Sequence, residues 1–372
     1  MKIIHIVLGR ANPHRMNGVN RVVHNLATAQ TLIGEDVEVW GISGSYLEKD
    51  EVERNYATSW FRPKGKFGLD KALIDAIRSV GAKAVCHLHG GFIPVFLTLS
   101  KHLKKERIPF FLTPHGTYTQ GAMQGNSFVK KWYFEFIERK MLLRAQEVQC
   151  LGHAEESDLK AMAPKVRTRL IPNGQNFEEL KTSSSKGDVS VFTIGFCGRI
   201  SKWHKGLDIL IESYLIYRKE LGGTGRLSLI GDGEYITEMK KIAAESDYGS
   251  DVHFLGKLFG EAKIDELNKM SVFVHTSRNE GLPTAVIEAT ALGIPCIVSE
   301  MTSMDRYVES YKAGWGFKGL DPKHIASIFL EAEHLFHNSE LVNLGRNALT
   351  MAKENFDWDV IARQTLKMYA VY

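Results

Sequence analysis

Two glutamates in the stretch RNEGLPTAVIEA, residues 278–289, could bind one ligand together. Glu280 stands in the turn after an apolar run, and Glu288 lies eight positions later, inside the helix predicted to follow. A carboxylate accepts two hydrogen bonds from a vicinal diol, which is how acidic residues hold the ribose of a nucleotide. We therefore predict that Glu288 binds a nucleoside and that Glu280 reaches a group beyond its phosphates. A pair of solvated surface carboxylates is the alternative.

The residues between these glutamates predict a phosphate-binding helix start. Pro283 suits the first helical position, where its missing N–H leaves no hydrogen bond unmade. The free N–H groups of Gly281, Leu282 and Thr284 would then point out of the helix towards a phosphate.

Two cations form a second candidate for anion binding. The segment GRISKWHKGLDIL carries Arg199 and Lys205, and Lys205 directly precedes a glycine that opens a predicted helix. The free N–H groups and the dipole of a helix start add to the charge of nearby cations. Arg199 could contact a diphosphate through two parallel hydrogen bonds, while Lys205 supplies a point charge. The alternative is a pair of solvated surface cations.

These residues lie in turns between alternating strands and helices. At 372 residues, the chain suits two domains. Two βα series predict two Rossmann-like, doubly wound α/β domains facing one another across a cleft, with ligands at the carboxyl ends of the strands. The predicted strands are almost continuously apolar and span residues 2–9, 36–43, 82–90, 109–116, 147–152 and 168–174, then 191–198, 225–233, 251–257, 271–277 and 294–300.

A polar segment divides the two series. KTSSSKGDVS, residues 181–190, is rich in Ser and Lys, which is typical of a linker. We predict an N-terminal domain over residues 1–180, a C-terminal domain over 187–356 and a final helix within 357–372.

The composition is that of a globular protein in a reducing compartment. No apolar run approaches the roughly 18 residues that a membrane-spanning helix needs, and the N-terminus lacks the long apolar core of a signal peptide. The four cysteines lie in separate apolar runs, which favours free thiols and a cytoplasmic location over disulfides or a zinc site.

Positive charge is concentrated in the first half of the chain. The net charge is +4 overall, but residues 1–180 contain 25 Lys and Arg against 18 Asp and Glu. The excess peaks between Lys101 and Arg144, with nine basic and three acidic residues. Such a surface could meet an anionic acceptor or the inner face of the cytoplasmic membrane, and an ordinary solvated surface is the alternative. The basic, aromatic pattern of residues 127–148 could also touch a bilayer, although we expect its apolar face to pack on the first sheet.

Two further patterns resemble metal motifs but favour structural roles. His87 and His89 have strand spacing but no carboxylate partner, so we interpret them as structural. Asp357-Trp358-Asp359 has the form of a DxD metal motif, yet it starts a predicted helix, where capping accounts for the acidic residues. We expect no metal and no cofactor. The first strand leads into GRANPHRMNG rather than GxGxxG, so a nicotinamide enzyme is not expected.

Taken together, the motifs resemble a known enzyme family over essentially the whole chain. The sequence is similar to the retaining glycosyltransferases of family 4, which have the GT-B fold and a Glu-x7-Glu signature matched by Glu280 and Glu288. The other matching motifs are NGVNRVVHNLA, HLHGG, TPHGTY, IPNG, IGFCGRISKWHKGLDILIES, LSLIGDGEYITEMKKIA, VHFLGKL and FVHTSRNEGLPTAVIEATALGIPCIVSE. The resemblance implies a C-terminal helix that crosses back to the N-terminal domain.

The resemblance also implies roles for residues of the C-terminal domain. Arg199 and Lys205 would bind the donor diphosphate and neutralise the leaving group, where charge develops in the transition state. Glu288 would hold the ribose, and Glu280 would contact the donor sugar beside the backbone of Gly281–Pro283.

Three further residues receive roles in the same way. Leu258 would lie where the backbone meets the nucleobase. In the N-terminal domain, Gly18 would let the backbone approach the phosphates closely, which a side chain would block. His115, at the tip of a predicted strand, would lie near the transferred sugar and the acceptor.

The implied function is retaining transfer of a sugar from a nucleotide diphosphate donor to a hydroxyl. The acceptor would be a glycan or a lipid-linked glycan, as in cell-surface polysaccharide synthesis, and no nucleic acid partner is expected. We expect a UDP-sugar first and GDP-mannose next. The family often has Gly-Gly at Asn17-Gly18 and Pro-Ser at Thr276-Ser277, and EMTSMDRYVE replaces its usual glycine-rich turn, which leaves the sugar open. A nucleotide-sugar 2-epimerase and a non-catalytic nucleotide-sugar-binding subunit are the alternatives.

Overall fold

The chain forms two compact units. The computed structural model describes residues 1–12, 18–45, 52–124, 127–181, 190–201, 204–278, 280 and 282–372. One unit contains Met1–Gly174 together with Trp358–Tyr372, and the other contains Gln175–Asp357. Most of the polar segment interpreted as a linker, residues 182–189, lies outside the described residues.

The first unit is built on a seven-stranded parallel sheet with the order β3-β2-β1-β4-β5-β6-β7. Its strands are β1 Lys2–Leu8, β2 Asp36–Ile42, β3 Ala57–Phe61, β4 Ala84–His89, β5 Phe110–Thr113, β6 Val148–Cys150 and β7 Thr168–Leu170. The helices between them are α1 Gly18–Leu32, α2 Lys71–Val80, α3 Pro94–Lys105, α4 Gln120–Gln124, α5 Ser127–Tyr133, α6 Arg139–Leu142 and α7 His153–Met162.

The second unit repeats this plan with six parallel strands in the order β10-β9-β8-β11-β12-β13. The strands are β8 Thr193–Cys197, β9 Arg226–Ile230, β10 Val252–Gly256, β11 Val272–His275, β12 Cys296–Ser299 and β13 Gly314–Phe317. The helices are α8 Phe177–Lys181, α9 Leu207–Lys219, α10 Ile236–Ala244, α11 Gly260–Asn268, α12 Thr284–Ala291, α13 Asp305–Tyr311, α14 Pro322–His337 and α15 Leu341–Phe356. A final helix, α16 Trp358–Tyr369, returns to the first unit and packs on α1.

Burial explains why the sequence pattern located most strands. Every residue of β4 and β11 is buried, because helices cover both faces of each sheet. All eleven predicted strands are confirmed in place. The two that were missed, β3 and β13, are edge strands whose residues are mostly only partly buried, so their apolar signal is weak.

The boundary between the units lies at residue 174 rather than at the predicted 180. Phe177 and Leu180 are buried against Ile264, Ala291 and Ala352 of the second unit. This apolar contact assigns α8 to the second unit.

The expectation that residues 127–148 pack their apolar face on the first sheet is only half correct. A π-helical segment, Phe134–Glu138, joins α5 to α6. Phe134 and Met141 are buried in the core, as expected, but Phe128 and Trp132 are 82% and 55% exposed. Apolar side chains surround this helix, and one face can bury only part of them.

Candidate functional site

The second unit contains a cavity of about 730 Å³ at the carboxyl ends of its strands. Parallel doubly wound sheets bind ligands at this end, where the strand order reverses between β8 and β11. The lining residues end or follow three neighbouring strands, or belong to the two nearest helices: Cys197, Gly198, Arg199, Ile230, Gly231, Asp232, Gly233, Glu234, Lys257, Leu258, Phe259, Lys263, Thr284, Ala285 and Glu288. The structure therefore brings the predicted residues Arg199, Leu258 and Glu288 to one cavity.

Glu288 is paired with a lysine that the sequence did not single out. Glu288 is the fifth residue of α12, and Lys263 lies on the neighbouring helix α11. The Lys263 ammonium lies 2.9 Å from both carboxylate oxygens. The two side chains are 17% and 23% exposed, so this ion pair is at the cavity wall and open on one side.

Lys205 and Glu280 form a second polar cluster with His275. Lys205 Nζ donates a hydrogen bond to one carboxylate oxygen of Glu280, and His275 Nε2 donates to the other at 2.7 Å. Burial lowers the pKa of His275, so the ring is neutral and donates through Nε2–H. Burial alone would raise the pKa of Glu280. The hydrogen bond from His275, the positive charge that His275 gains in acid, and the charge and hydrogen bond of Lys205 outweigh burial and lower this pKa to about 2. Glu280 is therefore a carboxylate at neutral pH.

Cys197, the last residue of β8, lines the cavity. Burial and the negative charge of Glu288 raise the pKa of its thiol to about 11, although the positive charges of Lys263 and Lys205 oppose this shift. The thiol is thus protonated at neutral pH.

Backbone contacts hold Lys205 beside Glu280. Gly206 has φ 62°, and a Cβ on it would lie 2.0 Å from the carbonyl oxygen of Thr276, so only glycine fits. Ser277 Oγ donates to the His204 carbonyl at 2.6 Å. These contacts join the turn after β11 to the turn after β8.

A partly buried ion pair strengthens the same junction. Arg278 donates two hydrogen bonds to Asp208, at 2.7 and 2.6 Å, in the first turn of α9. A bidentate pair of this kind fixes both distance and orientation.

Arg199 differs from Lys205 in its surroundings. Its side chain is 76% exposed and lies 3.3 Å from Glu234, which is also exposed. Lys205 is only 20% exposed. The two predicted cations therefore belong to different clusters, Arg199 at the cavity and Lys205 with Glu280.

The helix start after Glu280 is one residue later than predicted. α12 begins at Thr284, and Pro283 is its N-cap residue rather than its first helical residue. The Pro283 carbonyl accepts from Val286 N at 3.1 Å, so the N-cap position is defined by a hydrogen bond. Leu282 is partly buried beside it, while Gly281 lies outside the described residues.

In the first unit, His115 follows β5 and has a left-handed backbone, with φ 55°. Its Nε2 lies 3.2 Å from His89 Nδ1, and burial lowers its pKa to about 4. Gly18 is the first residue of α1, and a Cβ there would meet no described atom within 4 Å. The phosphate-binding role of Gly18 stays a prediction.

His87 and His89 lie beside His5 of β1, and the three form a group whose ring nitrogens lie within 4.8 Å of one another, a spacing that could hold a metal ion. Each ring is hydrogen bonded within the protein: His5 to Gln30 at 2.7 Å, His87 to Tyr369 and Thr113 at 2.6 and 2.7 Å, and His89 to His5 at 2.9 Å. The structural interpretation of His87 and His89 stays a prediction.

Comparison with known families extends over nearly the whole chain. The family model named Glycosyltransferase Family 4 matches residues 16–179, and the one named Glycosyl transferases group 1 matches residues 178–349. The chain belongs to the family 4 glycosyltransferases. The resemblance read from the sequence motifs is confirmed.

Three curated relatives of this glycosyltransferase illustrate the range of the family. EpsF of Bacillus subtilis, named as a glycosyltransferase, is 26% identical over 65% of the chain, which spans only 62% of the length of EpsF. A GDP-mannose:cellobiosyl-diphosphopolyprenol alpha-mannosyltransferase of Xanthomonas campestris is 26% identical over 81% of the chain and 79% of its own length. A UDP-Gal:alpha-D-GlcNAc-diphosphoundecaprenol alpha-1,3-galactosyltransferase of Escherichia coli is 26% identical over 53% of each chain.

A solved structure confirms the GT-B fold of this glycosyltransferase. The crystal structure of HepE of Anabaena in complex with UDP covers 100% of both chains with a TM-score of 0.73 and 16% sequence identity. At that identity, the likeness concerns the fold alone.

Two polar residues of the site were assigned no role from the sequence alone. Lys263 and His275 each contact one of the predicted glutamates. His275 lies within the motif FVHTSRNEGLPTAVIEATALGIPCIVSE but received no role there, and Lys263 lies in none of the quoted motifs. His275 is only five positions from Glu280, at the end of a buried strand, and a polar residue at such a position is a usable signal. Lys263 has no comparable signal, because its pairing depends on how α11 and α12 pack.

Proposed function

We propose that this chain is a retaining glycosyltransferase that moves a sugar from a nucleotide diphosphate donor to a hydroxyl. The observation that carries the proposal is the cavity of the second unit, where Glu288 and Arg199 face one space. The Lys205–Glu280 pair lies in the turns that follow β8 and β11 of the same sheet. Such a donor requires a carboxylate for its ribose diol, cations for its diphosphate and an ionised carboxylate for its sugar.

Each part of the donor has a proposed partner. Glu288 accepts hydrogen bonds from the two ribose hydroxyls, and the backbone at Leu258 meets the base. Arg199 and the first N–H groups of α12 bind the phosphates. Lys205 contributes charge beside the leaving group, and Glu280 accepts hydrogen bonds from sugar hydroxyls.

The proposed reaction needs no protein nucleophile. The bond between the anomeric carbon and the donor phosphate oxygen breaks, and the acceptor oxygen bonds to that carbon on the same face. The acceptor proton passes to the departing phosphate, and a nucleoside diphosphate leaves. Glu280 stays ionised, because its pKa is lowered to about 2, so it cannot act as the proton donor. Arg199 and Lys205 stabilise the negative charge that develops on the diphosphate.

The donor is a UDP-sugar in this proposal, with GDP-mannose as the second choice. Relatives named for each of these donors are 26% identical to this chain, so identity alone does not separate them. Both of these relatives are named for acceptors linked to a polyprenol through a diphosphate. We propose an acceptor of that class, a glycan carried on a lipid diphosphate.

An exposed aromatic surface on the first unit supports a membrane-borne acceptor. We call it the aromatic ridge, and it consists of large apolar side chains that are at least half exposed: Phe128, Val129, Trp132, Phe136 and Leu143. Phe128, Trp132 and Phe136 follow one another at helical i, i+4 spacing, and the rings of Trp132 and Phe136 lie 4.8 Å apart. An exposed apolar stripe of this kind is typical of a helix lying in a membrane interface.

Exposed cations lie on the helix of the aromatic ridge and on a helix that packs against it. Lys131 and Lys140 are exposed on the same helix, and Lys101, Lys104 and Lys105 are exposed on α3, which packs against α6. Each such residue near an anionic lipid surface contributes about 1 kcal/mol. The charge and the aromatic side chains together fit an anionic bilayer as the partner. Among the described residues, no helix combines the length and the hydropathy needed to cross a bilayer.

Mutations in the donor site test the proposed function. Lys205→Ala and Glu288→Ala should lower sugar transfer by about a hundredfold or more, because each removes a charged contact to the donor. Lys241→Ala, at an exposed lysine of α10, is the matched control and should keep full activity. A thermal-shift panel of UDP- and GDP-sugars identifies the donor, since a ligand stabilises the state that binds it. Wild-type turnover in both site variants would remove the proposed donor site.

The same assays decide between the alternatives. Incubation with donor alone that yields an epimerised sugar nucleotide indicates a 2-epimerase. Donor binding without turnover over a broad acceptor panel indicates a non-catalytic binding subunit.

A further inference from the structure

Three histidines of the first unit, His5, His89 and His115, form a continuous series of hydrogen bonds, which we call the relay. His115 Nε2 lies 3.2 Å from His89 Nδ1, and His89 Nε2 lies 2.9 Å from His5 Nδ1. His5 Nε2 lies 2.7 Å from the Gln30 side-chain oxygen. The chain runs from the turn after β5, through β4 and β1, to α1. His5, His89 and Gln30 are at most 1% exposed, so no solvent competes for these hydrogen bonds.

Gln30, at the end of the relay opposite His115, determines the direction of every hydrogen bond in the relay. Thr365 Oγ1 donates to the Ile361 carbonyl at 2.7 Å, within α16, so it can only accept from Gln30 Nε2 at 3.4 Å. The Gln30 oxygen therefore faces His5 and accepts from His5 Nε2–H. An amide has one accepting and one donating end, so this orientation excludes the reverse direction.

Each ring then carries its single proton on Nε2. Burial lowers the pKa of His5 to about 4 and that of His89 well below its ordinary value, so both are neutral at pH 7. A neutral imidazole has one donor and one acceptor. His5 Nδ1 accepts from His89, and His89 Nδ1 accepts from His115. The Nδ1 lone pair of His115 is left without a hydrogen-bond partner among the described residues.

The backbone of His115 is held separately. Its φ of 55° is a left-handed conformation that a histidine adopts only at an energetic cost. The next residue, Gly116, donates its N–H to Glu155 Oε1 at 2.6 Å, and the other oxygen of Glu155 accepts from Leu151 N at 3.0 Å. Glu155 thereby secures the turn, while His89 orients the ring.

We propose that His5 and His89 are positioning residues that hold His115 in its Nε2–H tautomer, so that its Nδ1 accepts a hydrogen bond from a hydroxyl of the substrate. The substrate part of this inference rests on the proposed function, but the tautomer part does not. Without the relay, His115 would exchange between two tautomers, and one of them carries a proton where the hydroxyl must donate.

His87 is a matched control on the same strand. It is as buried as His89, and its ring stacks beside it with centroids 4.3 Å apart. Its nitrogens, however, bond to Tyr369 and Thr113 and not to the relay. Replacing His87 disturbs packing to a similar extent but leaves the chain from His5 to His115 intact.

A two-bond ¹⁵N–¹H correlation spectrum identifies the tautomer of each histidine without any substrate. The protein is labelled with ¹⁵N-histidine for this measurement. His115 in the wild type should show the Nε2–H pattern, assigned with His115→Gln. His89→Leu should convert it to a mixture of tautomers, and His87→Leu should leave it unchanged. An Nδ1–H pattern in the wild type, or the same change in His87→Leu as in His89→Leu, overturns the relay. Stoichiometric metal in the purified wild-type protein, if only a chelator removes it, would also overturn the relay. A metal bound to His5 and His89 would occupy the ring nitrogens that form the relay's hydrogen bonds.

Rescue by a conservative variant keeps the test independent of folding. The amide oxygen of His89→Asn can take the place of His89 Nδ1 and accept from His115. We expect His89→Leu to lower kcat about tenfold with an unchanged KM for the donor, the effect of one lost hydrogen bond, and His89→Asn to restore most of it. Equal loss in both variants indicates a packing role and refutes the relay. If no transfer is detected in any variant, the proposed function fails, while the ring-nitrogen spectra still decide the tautomer.

Discussion

Lys263 Nζ lies equidistant from the two carboxylate oxygens of Glu288, 2.9 Å from each, at the wall of the candidate donor cavity. The carboxylate proposed to bind a ribose is thus oriented by an ion pair before any ligand arrives. A preoriented acceptor loses less freedom on binding than a mobile one.

This relationship predicts that Lys263 contributes to nucleotide affinity. Lys263→Met keeps the length of the side chain but removes the charge, so Glu288 becomes mobile and its carboxylate loses its orientation. We expect UDP or GDP, whichever binds the wild type, to bind about tenfold more weakly by calorimetry. Lys269→Met, at an exposed lysine at the C-cap of the same helix, is the control and should bind normally. Unchanged or tighter binding by Lys263→Met would contradict this role.

The lowered pKa of Glu280 predicts an acid-sensitive contribution to stability. The group has a pKa of about 2 in the folded protein against an ordinary value of 4.5. Because the folded-state pKa is depressed, the stabilisation is fully present above about pH 5 and is lost as the pH falls towards 2. Urea unfolding of the wild type and Glu280→Gln should differ by on the order of 2 kcal/mol at pH 6. The difference should shrink steadily between pH 5 and pH 3, and a constant difference over that interval would argue against the ion cluster.

Gly206 is predicted to be irreplaceable for two separable reasons. Gly206→Ala introduces a Cβ 2.0 Å from the Thr276 carbonyl oxygen in addition to a strained φ of 62°. Gly222→Ala isolates the second effect, since Gly222 has φ 72° but a Cβ added there would meet no described atom within 4 Å. We expect losses in unfolding free energy of about 1–2 kcal/mol for Gly222→Ala and about 3 kcal/mol or more for Gly206→Ala. Equal losses would mean that the turn adjusts to the added carbon.

The aromatic ridge is predicted to bind anionic bilayers. The double variant Trp132→Ser with Phe136→Ser should lower binding to phosphatidylglycerol-containing vesicles about tenfold or more in cosedimentation, because it removes two of the three aromatic rings of the ridge. Leu32→Ser, which changes another exposed apolar residue of the same unit, is the control. Wild-type binding should also weaken as salt is raised and be weak to phosphatidylcholine alone. Equal binding by the double variant and the wild type would exclude the ridge as the contact.

Much of the architecture could be predicted from the sequence, because apolar runs and turn residues are local signals. Apolar runs marked eleven of the thirteen strands, and the proline after Glu280 marked the start of α12 to within one residue. Edge strands β3 and β13 were missed because partial exposure weakens the apolar pattern on which such predictions depend. The aromatic ridge was misjudged because composition alone cannot tell which side of an apolar helix is covered.

The sequence by itself therefore determined the two βα series, the family, and the residue types proposed to meet a nucleotide diphosphate sugar. Only the tertiary structure decided which side chains hold them: Lys263 for Glu288, His275 for Glu280, and His89 with His5 for His115. The physical reason is that hydrophobic periodicity and turn chemistry act over a few neighbouring residues. Hydrogen-bond partners are instead set by strand order and register, which place His5 opposite His87 across two strands that are 82 positions apart in the chain.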